Sequence, residues 1–305
     1  MKTDPAAPLE CATRILIVRL RSLGDCVLST PAIHLLKQDR RKREIAVVVE
    51  PAWHGVFEGN PDVSRILPPT QAAVWDFDPD VCVDFHGGNT AARLTFFSGA
   101  KYRAGFGHYK RRAAYNIRIP RVQEITGYGR TVHTAEHMAT AMFYLGVRPR
   151  EIPRACLFAP SPGPSRSPYA VIHPVAATAE KTWPAAGFQQ VAEYLVRQHG
   201  LRAVFIAAKD QDLSMFSGWE TVSGAPLEEL KTLISGASLF VGNDSGPAHI
   251  AAAFGVPPVV LFGPSDPVIW GPWGTRGEVV KSEGPIDGIT VSQVTAAVDH
   301  LRVAA

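Results

Sequence analysis

The chain has 305 residues, a length typical of one large or two medium domains, and 46% of them are hydrophobic against 19% charged. These proportions are those of a globular protein with a sizeable core, and a net charge of +3 argues against a dedicated nucleic-acid binder without opposing anionic ligands. The four cysteines show no CxxC spacing, which favours reduced, mostly buried thiols over a disulfide framework or a zinc site.

No targeting or membrane segment is expected. The first ten residues include Asp4 and Glu10 and lack the apolar core of a signal peptide. The most apolar windows are interrupted by Gly and Pro and fall short of the length that crosses a bilayer. We therefore expect a soluble, cytoplasmic protein whose contact with a membrane, if it has one, is peripheral.

The first half predicts strands that alternate with helices. The expected strands cover 14–19, 45–49, 65–67, 79–85 and 102–106, and the expected helices 26–37, 90–98 and 133–146. Pro31 lies inside the first helix and predicts a kink or a later start there. From 107 to 130 the chain is rich in Arg, Lys, Tyr and Gly without a clear period, which we interpret as long, positively charged loops.

A Pro- and Ser-rich linker is predicted at 159–168, and the alternation starts again after it. The expected strands cover 169–173, 202–207, 239–241 and 259–262, and the expected helices 184–200, 226–235, 249–254 and 292–302. Each half begins with strand, polar turn and helix, which predicts an α/β protein of two Rossmann-like domains with parallel sheets facing a central cleft. The expected domains are 1–158 and 159–305, and packing of the last helix back on the first domain is left open.

The stretch 239–264, LFVGNDSGPAHIAAAFGVPPVVLFGP, has the pattern of a strand, a polar Gly turn, a short Ala-rich helix and a second strand. Asp244 and Ser245 suit the N-cap, and Pro247 suits the first helical turn. In open α/β sheets, ligands bind at the carboxyl ends of strands, and the free N–H groups of a helix start attract anions. The same pattern is also expected for a well-capped helix that binds no ligand.

Two other strand-end turns, 19–25 and 174–183, also combine small residues with a strongly polar side chain. Helix capping explains each turn taken alone. The joint occurrence of three such turns, one in the first half and two in the second, indicates a ligand site.

Three segments carry a resemblance to a known family. They read RILIVRLRSLGDCVLSTPAI near the start, HPVAATAEKTWPAAGF in the middle and NDSGPAHIAAAFGVPPVVLFGPSDP near the end. Their order and spacing, over essentially the whole chain, resemble those of the glycosyltransferase family 9 heptosyltransferases, which build the inner core of lipopolysaccharide from ADP-heptose.

The resemblance implies the GT-B fold, with the acceptor bound by the first domain and the nucleotide-sugar donor mainly by the second. It implies an inverting transfer of heptose from an ADP-sugar to a lipopolysaccharide or lipid-linked glycan, without metal or cofactor. Peripheral contact with the inner face of the plasma membrane is left open, and no nucleic-acid partner is expected.

Two catalytic residues are implied by the same resemblance. Asp25 matches the family's Gly-Asp, whose carboxylate is the general base that takes the proton of the acceptor hydroxyl. Lys181 matches the family's donor lysine, a cation that neutralises charge on the departing diphosphate. The alternatives are an N-cap for the first helix in the case of Asp25 and a solvated loop lysine in the case of Lys181.

The resemblance further implies donor contacts in the late motif. Ser245 and Gly246 present a hydroxyl and a backbone N–H to the diphosphate. Asp244 has the same sign as the diphosphate, so it is expected to orient the turn or to bind sugar hydroxyls. His249 is expected to reach the diphosphate or a sugar hydroxyl, although a packing role is more frequent for a helical histidine. Thr178 resembles a phosphate-contacting hydroxyl of the family.

This chain departs from the family pattern at several donor positions. Ala177 and Ala248 stand where the family often has a hydroxyl residue and a Met. The segment 207–210 lacks the family's acidic residue after the strand and leaves Asp210 as the local candidate for a ribose contact.

The acceptor is implied to meet a group of basic residues in the first domain. Guanidinium forks suit the carboxylates and phosphates of a lipopolysaccharide inner core. The candidates are Arg111, Arg112 and Arg118. A solvated, charged loop explains each of them taken singly.

Two other functions remain open from the sequence. A nucleotide-sugar epimerase or a non-catalytic binder of nucleotide sugars or glycans can share the twin-Rossmann fold. An epimerase requires acid and base groups near the sugar beyond Asp25, and retention of both Asp25 and Lys181 argues against a non-catalytic binder.

Overall fold

The computed structural model describes residues 7–10, 12–161 and 167–301. The chain divides into two compact units, Met1–Phe158 and Ala159–Ala305. The middle of the predicted linker, together with Cys11 and Arg302, lies outside the described residues.

A six-stranded parallel sheet forms the centre of the first unit. Its strands are β1 (Arg14–Val18), β2 (Glu44–Val48), β3 (Arg65–Leu67), β4 (Val81–Asp84), β5 (Tyr102–Phe106) and β6 (Ile117–Ile119), in the order β3-β2-β1-β4-β5-β6. Its helices are α1 (Ala7–Glu10), α2 (Leu23–Asp39), α3 (Gln71–Phe77), α4 (Gly88–Phe96), α5 (Val122–Thr126) and α6 (Thr134–Tyr144). The continuous apolar run of β1 is buried along its length, as expected for a central strand covered on both faces.

The helix predicted at 26–37, which is α2 in the structure, differs from its prediction. α2 begins at Leu23, before the predicted start, and continues through Pro31 without interruption. Proline lacks the N–H that would bond to the carbonyl of Val27, four residues earlier. Thr30 Oγ1 donates to Val27 O at 2.8 Å instead, so this carbonyl keeps a hydrogen bond.

The segment 107–130 was wrongly interpreted as loops alone. It contains the edge strand β6, the helix α5 and a 3-10 turn at Arg112–Ala114. β6 is only three residues long and buries Ile117 and Ile119 while Arg118 points outward, a pattern too short to stand out among basic residues.

The second unit repeats the architecture. Its strands are β7 (Tyr169–His173), β8 (Arg202–Ala207), β9 (Glu220–Ser223), β10 (Leu239–Asn243), β11 (Pro258–Phe262) and β12 (Glu278–Lys281), all parallel in the order β12-β11-β10-β7-β8-β9. Its helices are α7 (Ala185–His199), α8 (Leu227–Ser235), α9 (Gly246–Phe254), α10 (Pro267–Trp270) and α11 (Val291–Leu301).

Both sheets share one strand order. Counted from the first strand of each unit, the order is 3-2-1-4-5-6, the Rossmann arrangement, and this confirms the predicted α/β class with two Rossmann-like domains and parallel sheets. In the first unit, β2 and β3 are added on one side of β1, and the chain then crosses to the other side, where β4 pairs with β1. In the second unit, the same change of side places β10 next to β7. These are the two places where ligand-binding turns are expected.

The last helix belongs to the core of the second unit. Val294, Val298 and Leu301 of α11 are buried with residues of β11, β12 and α7. Packing on the first domain, left open from the sequence, is therefore not what buries the apolar face of this helix.

No helix among the described residues is long and apolar enough to cross a membrane. Cys26 and Cys82 are buried free thiols, as predicted, and Cys156 is half-buried. Burial raises the pKa of Cys26 and of Cys82 to about 12, so both thiols stay protonated at neutral pH.

Candidate active site

The turns that follow the first and fourth strands lie side by side in each unit, because β1 pairs with β4 and β7 pairs with β10. The predicted turn 19–25 follows β1, the predicted turn 174–183 follows β7, and the polar Gly turn of the stretch 239–264 follows β10. The structure therefore brings the two turns of the second unit together. In the first unit, the neighbour of the turn 19–25 is the segment after β4, residues 85–89.

An ion pair joins the two turns of the second unit. Lys181 Nζ donates to Asp244 Oδ2 at 2.8 Å. The Asp244 side chain is 8% exposed and that of Lys181 32% exposed, so the carboxylate is enclosed and the lysine side chain is partly exposed. Asp244 thus holds the Lys181 ammonium group, and its expected role toward a donor stays a prediction.

The start of α9 lies directly beside this pair. Gly246 is the first residue of α9 and Ser245 its N-cap, but Ser245 makes no side-chain cap hydrogen bond. Its hydroxyl lies 2.9 Å from His173 Nδ1 and 3.0 Å from Asn243 O. Pro247 has no N–H and the Ala248 N–H donates to Ser245 O at 3.2 Å, so the N–H of Gly246, where the helix dipole is positive, is the group left open to an anion.

Two buried polar residues that the sequence did not single out support these turns. Asn243, the last residue of β10, donates to Pro174 O at 2.9 Å and accepts from the Trp183 backbone N–H at 3.0 Å. Burial lowers the pKa of His173 to about 4, so its ring is neutral at pH 7. Because the Ser245 hydroxyl donates its proton to Asn243 O, the ring nitrogen facing it is a donor. The sequence signal that could have identified both residues is a polar side chain at the last position of a buried strand.

The remaining donor candidates differ in their exposure to solvent. Thr178 is exposed and precedes the 3-10 turn Ala179–Lys181, with its hydroxyl 3.5 Å from Glu180 Oε1. His249 is buried one turn into α9. Asp210 is exposed, three residues beyond β8. Lys181, Asp244, Ser245 and Gly246 thus form one group. For these four residues, as for Thr178, His249 and Asp210, contact with a ligand stays a prediction.

Asp25 occupies the third position of α2. Its carboxylate forms an ion pair with Arg19 and accepts from Ser22 Oγ at 2.9 Å. Ser22 is the N-cap residue of α2, so the alternative that Asp25 caps this helix is wrong. The carboxylate is 22% exposed and stands at the carboxyl edge of the first sheet.

Arg19 connects the turn after β1 to the turn after β4. Its buried guanidinium pairs with Asp25 and donates to Phe85 O. The sequence placed Arg19 at the end of a predicted strand and the start of the turn 19–25, without a role of its own. Its role depends on β4 lying next to β1, which no local pattern shows.

Asp84 closes β4 as Asn243 closes β10. It is fully buried and accepts from the His86 and Gly87 backbone N–H groups, both at 2.8 Å, and from the Tyr115 hydroxyl at 2.7 Å. Burial raises the pKa of Asp84 in spite of these hydrogen bonds. A Cβ on Gly87, whose φ is +71°, would lie 2.9 Å from the Tyr109 ring, so the turn requires glycine for both backbone and space.

The three predicted acceptor arginines are all exposed. Arg111 Nε donates to Asn89 Oδ1 at 2.8 Å, which brings Arg111 to the first turn of α4, beside the segment 85–89. Arg118 projects from the edge strand β6, and Arg112 opens the 3-10 turn before it. The structure thus places Arg111 nearest to the turns after β1 and β4. Within the ranges that the structure describes, no three His, Cys, Asp or Glu residues are arranged to hold a metal ion.

Comparison with known proteins defines the class. Two Rossmann-like units agree with the GT-B fold, and residues 78–288 match the model of glycosyltransferase family 9 (heptosyltransferase). The match covers well over half of the chain. The chain belongs to glycosyltransferase family 9, as the resemblance of its motifs implied, and is a glycosyltransferase.

Its relatives share limited identity. The chain is 26% identical to lipopolysaccharide heptosyltransferase 1 of Pseudomonas aeruginosa over 89% of this chain and 84% of that protein. It is 33% identical to lipopolysaccharide heptosyltransferase 3 of Escherichia coli, where the match spans 44% of this chain and about half of that protein, 46%. The solved structure of Escherichia coli ADP-heptose LPS heptosyltransferase II matches with a TM-score of 0.79 and 20% identity, over 94% and 98% of the two chains, which supports the fold.

Proposed function

We propose that the chain is an inverting, metal-independent heptosyltransferase that moves heptose from ADP-heptose to the inner core of lipopolysaccharide. The observation that carries the proposal is the Lys181–Asp244 pair beside the uncapped start of α9. A fixed cation and a helix N-terminus at one sheet edge are what a departing diphosphate requires. The choice of heptose, ADP and lipopolysaccharide follows the names of the family and of the relatives.

The second unit, 159–305, is proposed to bind the donor. Lys181 neutralises the charge that develops on the diphosphate as the sugar leaves, and Asp244 holds the ammonium group in place. The N–H of Gly246 contacts the same diphosphate, and the Ser245 hydroxyl donates to it after releasing Asn243 O, its acceptor in the structure. Thr178 and His249 complete the proposed donor contacts.

The first unit, 1–158, is proposed to bind and activate the acceptor. Asp25 takes the proton of the acceptor hydroxyl while the hydroxyl oxygen forms a bond to the anomeric carbon. The bond from that carbon to the diphosphate oxygen breaks, and its electron pair leaves with ADP. Attack from the face opposite the leaving group inverts the anomeric centre. Arg19 and Ser22 fix the orientation of the carboxylate.

Arg111, Arg112 and Arg118 are proposed to bind anionic groups of the acceptor. Their guanidinium groups are exposed, and a lipopolysaccharide inner core carries carboxylates and phosphates that form paired hydrogen bonds with arginine. Arg111 is the first candidate because it borders the segment after β4.

Metal independence is proposed because Lys181 and the start of α9 already supply positive charge where the diphosphate leaves. Activity is therefore expected to persist in excess chelator. Its loss, with recovery on addition of a divalent cation, would overturn this part of the proposal.

The decisive experiment follows ADP release from ADP-heptose with and without a lipopolysaccharide acceptor. The expected result is release that depends strictly on the acceptor, with a product whose new linkage has the anomeric configuration opposite to that of the donor. Conversion of the nucleotide sugar alone would identify an epimerase, and tight binding without turnover would identify a binder. Thermal shift with ADP-, GDP- and UDP-sugars tests the base, because a bound donor raises the apparent stability.

A further inference from the structure

Two neighbouring tyrosines of the first unit differ in what their hydroxyl groups bind. The ring centroids of Tyr109 and Tyr115 lie 6.0 Å apart. Tyr115 is buried and its hydroxyl donates to Asp84 Oδ2 at 2.7 Å, so this hydroxyl serves the fold. Tyr109 is half-buried, and no described residue forms a hydrogen bond with its hydroxyl. Polar groups that are largely buried usually have a partner, so the Tyr109 hydroxyl is a candidate for contact with a ligand.

Tyr109 lies at the same sheet edge as the proposed base. It follows β5 by three residues, and β5 pairs with β4, so its turn lies beside the turn after β4. A Cβ on Gly87 would lie 2.9 Å from the Tyr109 ring, so the ring packs directly on this glycine. Burial and then the carboxylate of Asp84 raise the pKa of Tyr109. Arg19 opposes this rise and Asp25 adds to it. The hydroxyl therefore stays protonated, as a hydrogen-bond donor within electrostatic range of Asp25.

His86 presents a second open polar group at this edge. It directly precedes Gly87, the residue on which the Tyr109 ring packs. Its Nδ1 lies 3.2 Å from Arg21 O, and a carbonyl oxygen only accepts hydrogen bonds, so Nδ1 carries the proton. Burial lowers the pKa of His86 and Arg19 adds to the effect, so the ring is neutral at pH 7 and Nε2 is an acceptor. None of the residues that the structure describes donates to Nε2.

The buried charged groups next to these two side chains are already paired. The Arg19 guanidinium binds Asp25 and a backbone carbonyl, and Asp84 accepts three hydrogen bonds. Beside Asp25, this edge therefore offers a ligand one neutral donor, Tyr109 Oη, and one neutral acceptor, His86 Nε2. The combination matches a sugar hydroxyl, which accepts one hydrogen bond and donates another. A carboxylate or a phosphate would use only the donor, because its oxygens have no proton to give to Nε2.

We propose that Tyr109 and His86 bind a hydroxyl group of the acceptor sugar close to the hydroxyl that Asp25 deprotonates. Tyr109 Oη donates to the oxygen of the bound hydroxyl, and the hydroxyl donates to His86 Nε2. The two bonds orient the sugar ring so that the reacting hydroxyl stays at the carboxylate. The inference rests on the proposed function and deepens it: the proposed arginine contacts recognise anionic groups of the acceptor, whereas Tyr109 and His86 recognise its neutral ring.

Tyr109→Phe removes the donor and keeps the ring that packs on Gly87. The probe is a water-soluble, deacylated lipopolysaccharide inner core, whose binding to the full chain is measured by calorimetry with ADP present. We expect its affinity to fall about five- to tenfold, the effect of losing one hydrogen bond between neutral groups. The affinity for ADP and the thermal unfolding midpoint are expected to stay at the wild-type values, because no described residue binds this hydroxyl. A merely structural role would lower the midpoint.

Two variants of His86 separate the roles of its ring nitrogens. The amide nitrogen of Asn takes the place of Nδ1 and donates to Arg21 O, so His86→Asn removes Nε2 alone. The longer side chain of Gln brings its amide to the position of Nε2, so His86→Gln restores an acceptor there. We expect His86→Asn to weaken acceptor binding about five- to tenfold and His86→Gln to weaken it less than about twofold. The reverse order would overturn the role of Nε2.

Acceptor analogues that each lack one hydroxyl of the terminal sugar identify the bound group. We expect one analogue to bind the wild type about five- to tenfold more weakly than the parent acceptor. Tyr109→Phe should bind this analogue and the parent about equally, because the contact is already absent. Tyr102→Phe is the matched control: Tyr102 is half-buried at the opposite, amino end of β5, and its hydroxyl also has no hydrogen-bond partner among the described residues. This control should bind the acceptor as the wild type does.

Affinity of Tyr109→Phe for the acceptor within about twofold of wild type would overturn the proposal. So would a wild type that binds no acceptor, or a Tyr109→Phe variant that loses affinity for ADP instead. Failure of the proposed function gives a different result. A wild type that binds the acceptor but transfers no sugar would disprove the transfer reaction, while weaker acceptor binding by Tyr109→Phe would leave the hydroxyl contact standing. The two failures are therefore distinguishable.

Discussion

Lys181 Nζ and Asp244 Oδ2 lie 2.8 Å apart although the two residues are 63 positions apart in the chain. The pairing of β7 with β10 brings their turns together, and the enclosed carboxylate holds the lysine at the start of α9. The structure therefore assigns the two carboxylates, Asp244 and Asp25, to different tasks. Asp244 positions a cation within the second unit, and Asp25, the proposed proton acceptor, belongs to the first unit.

Removal of the lysine charge is the direct test of this pair. Lys181→Met is expected to lower kcat by about 10²–10³-fold, because a preorganised charge on the leaving group acts mainly in the transition state. Asp244→Asn is expected to weaken donor binding more mildly, by about tenfold, since the cation stays but loses its anchor. Steady-state kinetics checks both effects, with Lys42→Met, which alters an exposed lysine in a turn of the first unit, as control. Turnover of Lys181→Met within twofold of wild type would contradict the assignment.

Asp25→Ala tests the proposed base. It is expected to lower kcat by about 10²–10⁴-fold while the affinity for ADP, measured by calorimetry, is retained, because donor binding is assigned to the other unit. Asp287→Ala, which removes an exposed carboxylate from the second unit, is the control and should behave as wild type. Wild-type turnover in Asp25→Ala would rule out the role, and a loss of ADP affinity that matches the loss of rate would show a binding defect instead.

Much of the fold follows from short-range patterns in the sequence. Apolar runs that end in polar turns predicted the central strands, because such strands are buried on both faces. The edge strands β9 and β12 were missed since most of their side chains are exposed and no apolar run marks them. Continuation of α2 through Pro31 depends on the Thr30 hydroxyl, a contact that residue propensities do not report.

For the candidate site, too, the sequence predicted some residues and missed others. Lys181, Asp244, Ser245 and Gly246 could be singled out because they lie in motifs at strand ends. The supporting residues Arg19, Asp84, His173 and Asn243 could not, because their partners come from strands that are neighbours in space but distant in the chain. Knowledge of the 3-2-1-4-5-6 strand order would have drawn attention to the polar ends of β4 and β10.

His173 makes the stability of the protein depend on pH. Its pKa is about 4 in the folded chain against 6.5 for a solvated histidine, so between these values the unfolded state binds more protons. The free energy of unfolding therefore falls as the pH falls from about 6.5 to about 4, by about 3 kcal/mol from this group. Urea unfolding across this range should show a shallower pH dependence for His173→Gln, by about one proton. Equal slopes for His173→Gln and the wild type would contradict neutral burial of His173.

Gly187 tests the packing that supports the donor turn. A Cβ at Gly187, inside α7, would lie 2.5 Å from the Trp183 ring, which is buried and donates through Nε1 to Ile289 O. Helix propensity alone predicts that Gly187→Ala stabilises the protein by up to about 1 kcal/mol, whereas the clash predicts destabilisation by about 1–3 kcal/mol. The sign of the change in urea unfolding decides between them. Gly284→Ala meets no atom within 4 Å and is the control, expected within about 0.5 kcal/mol of wild type. Because Asn243 binds the backbone of Trp183, Gly187→Ala should also weaken ADP binding, and stabilisation with unchanged affinity would show that the turn does not depend on this contact.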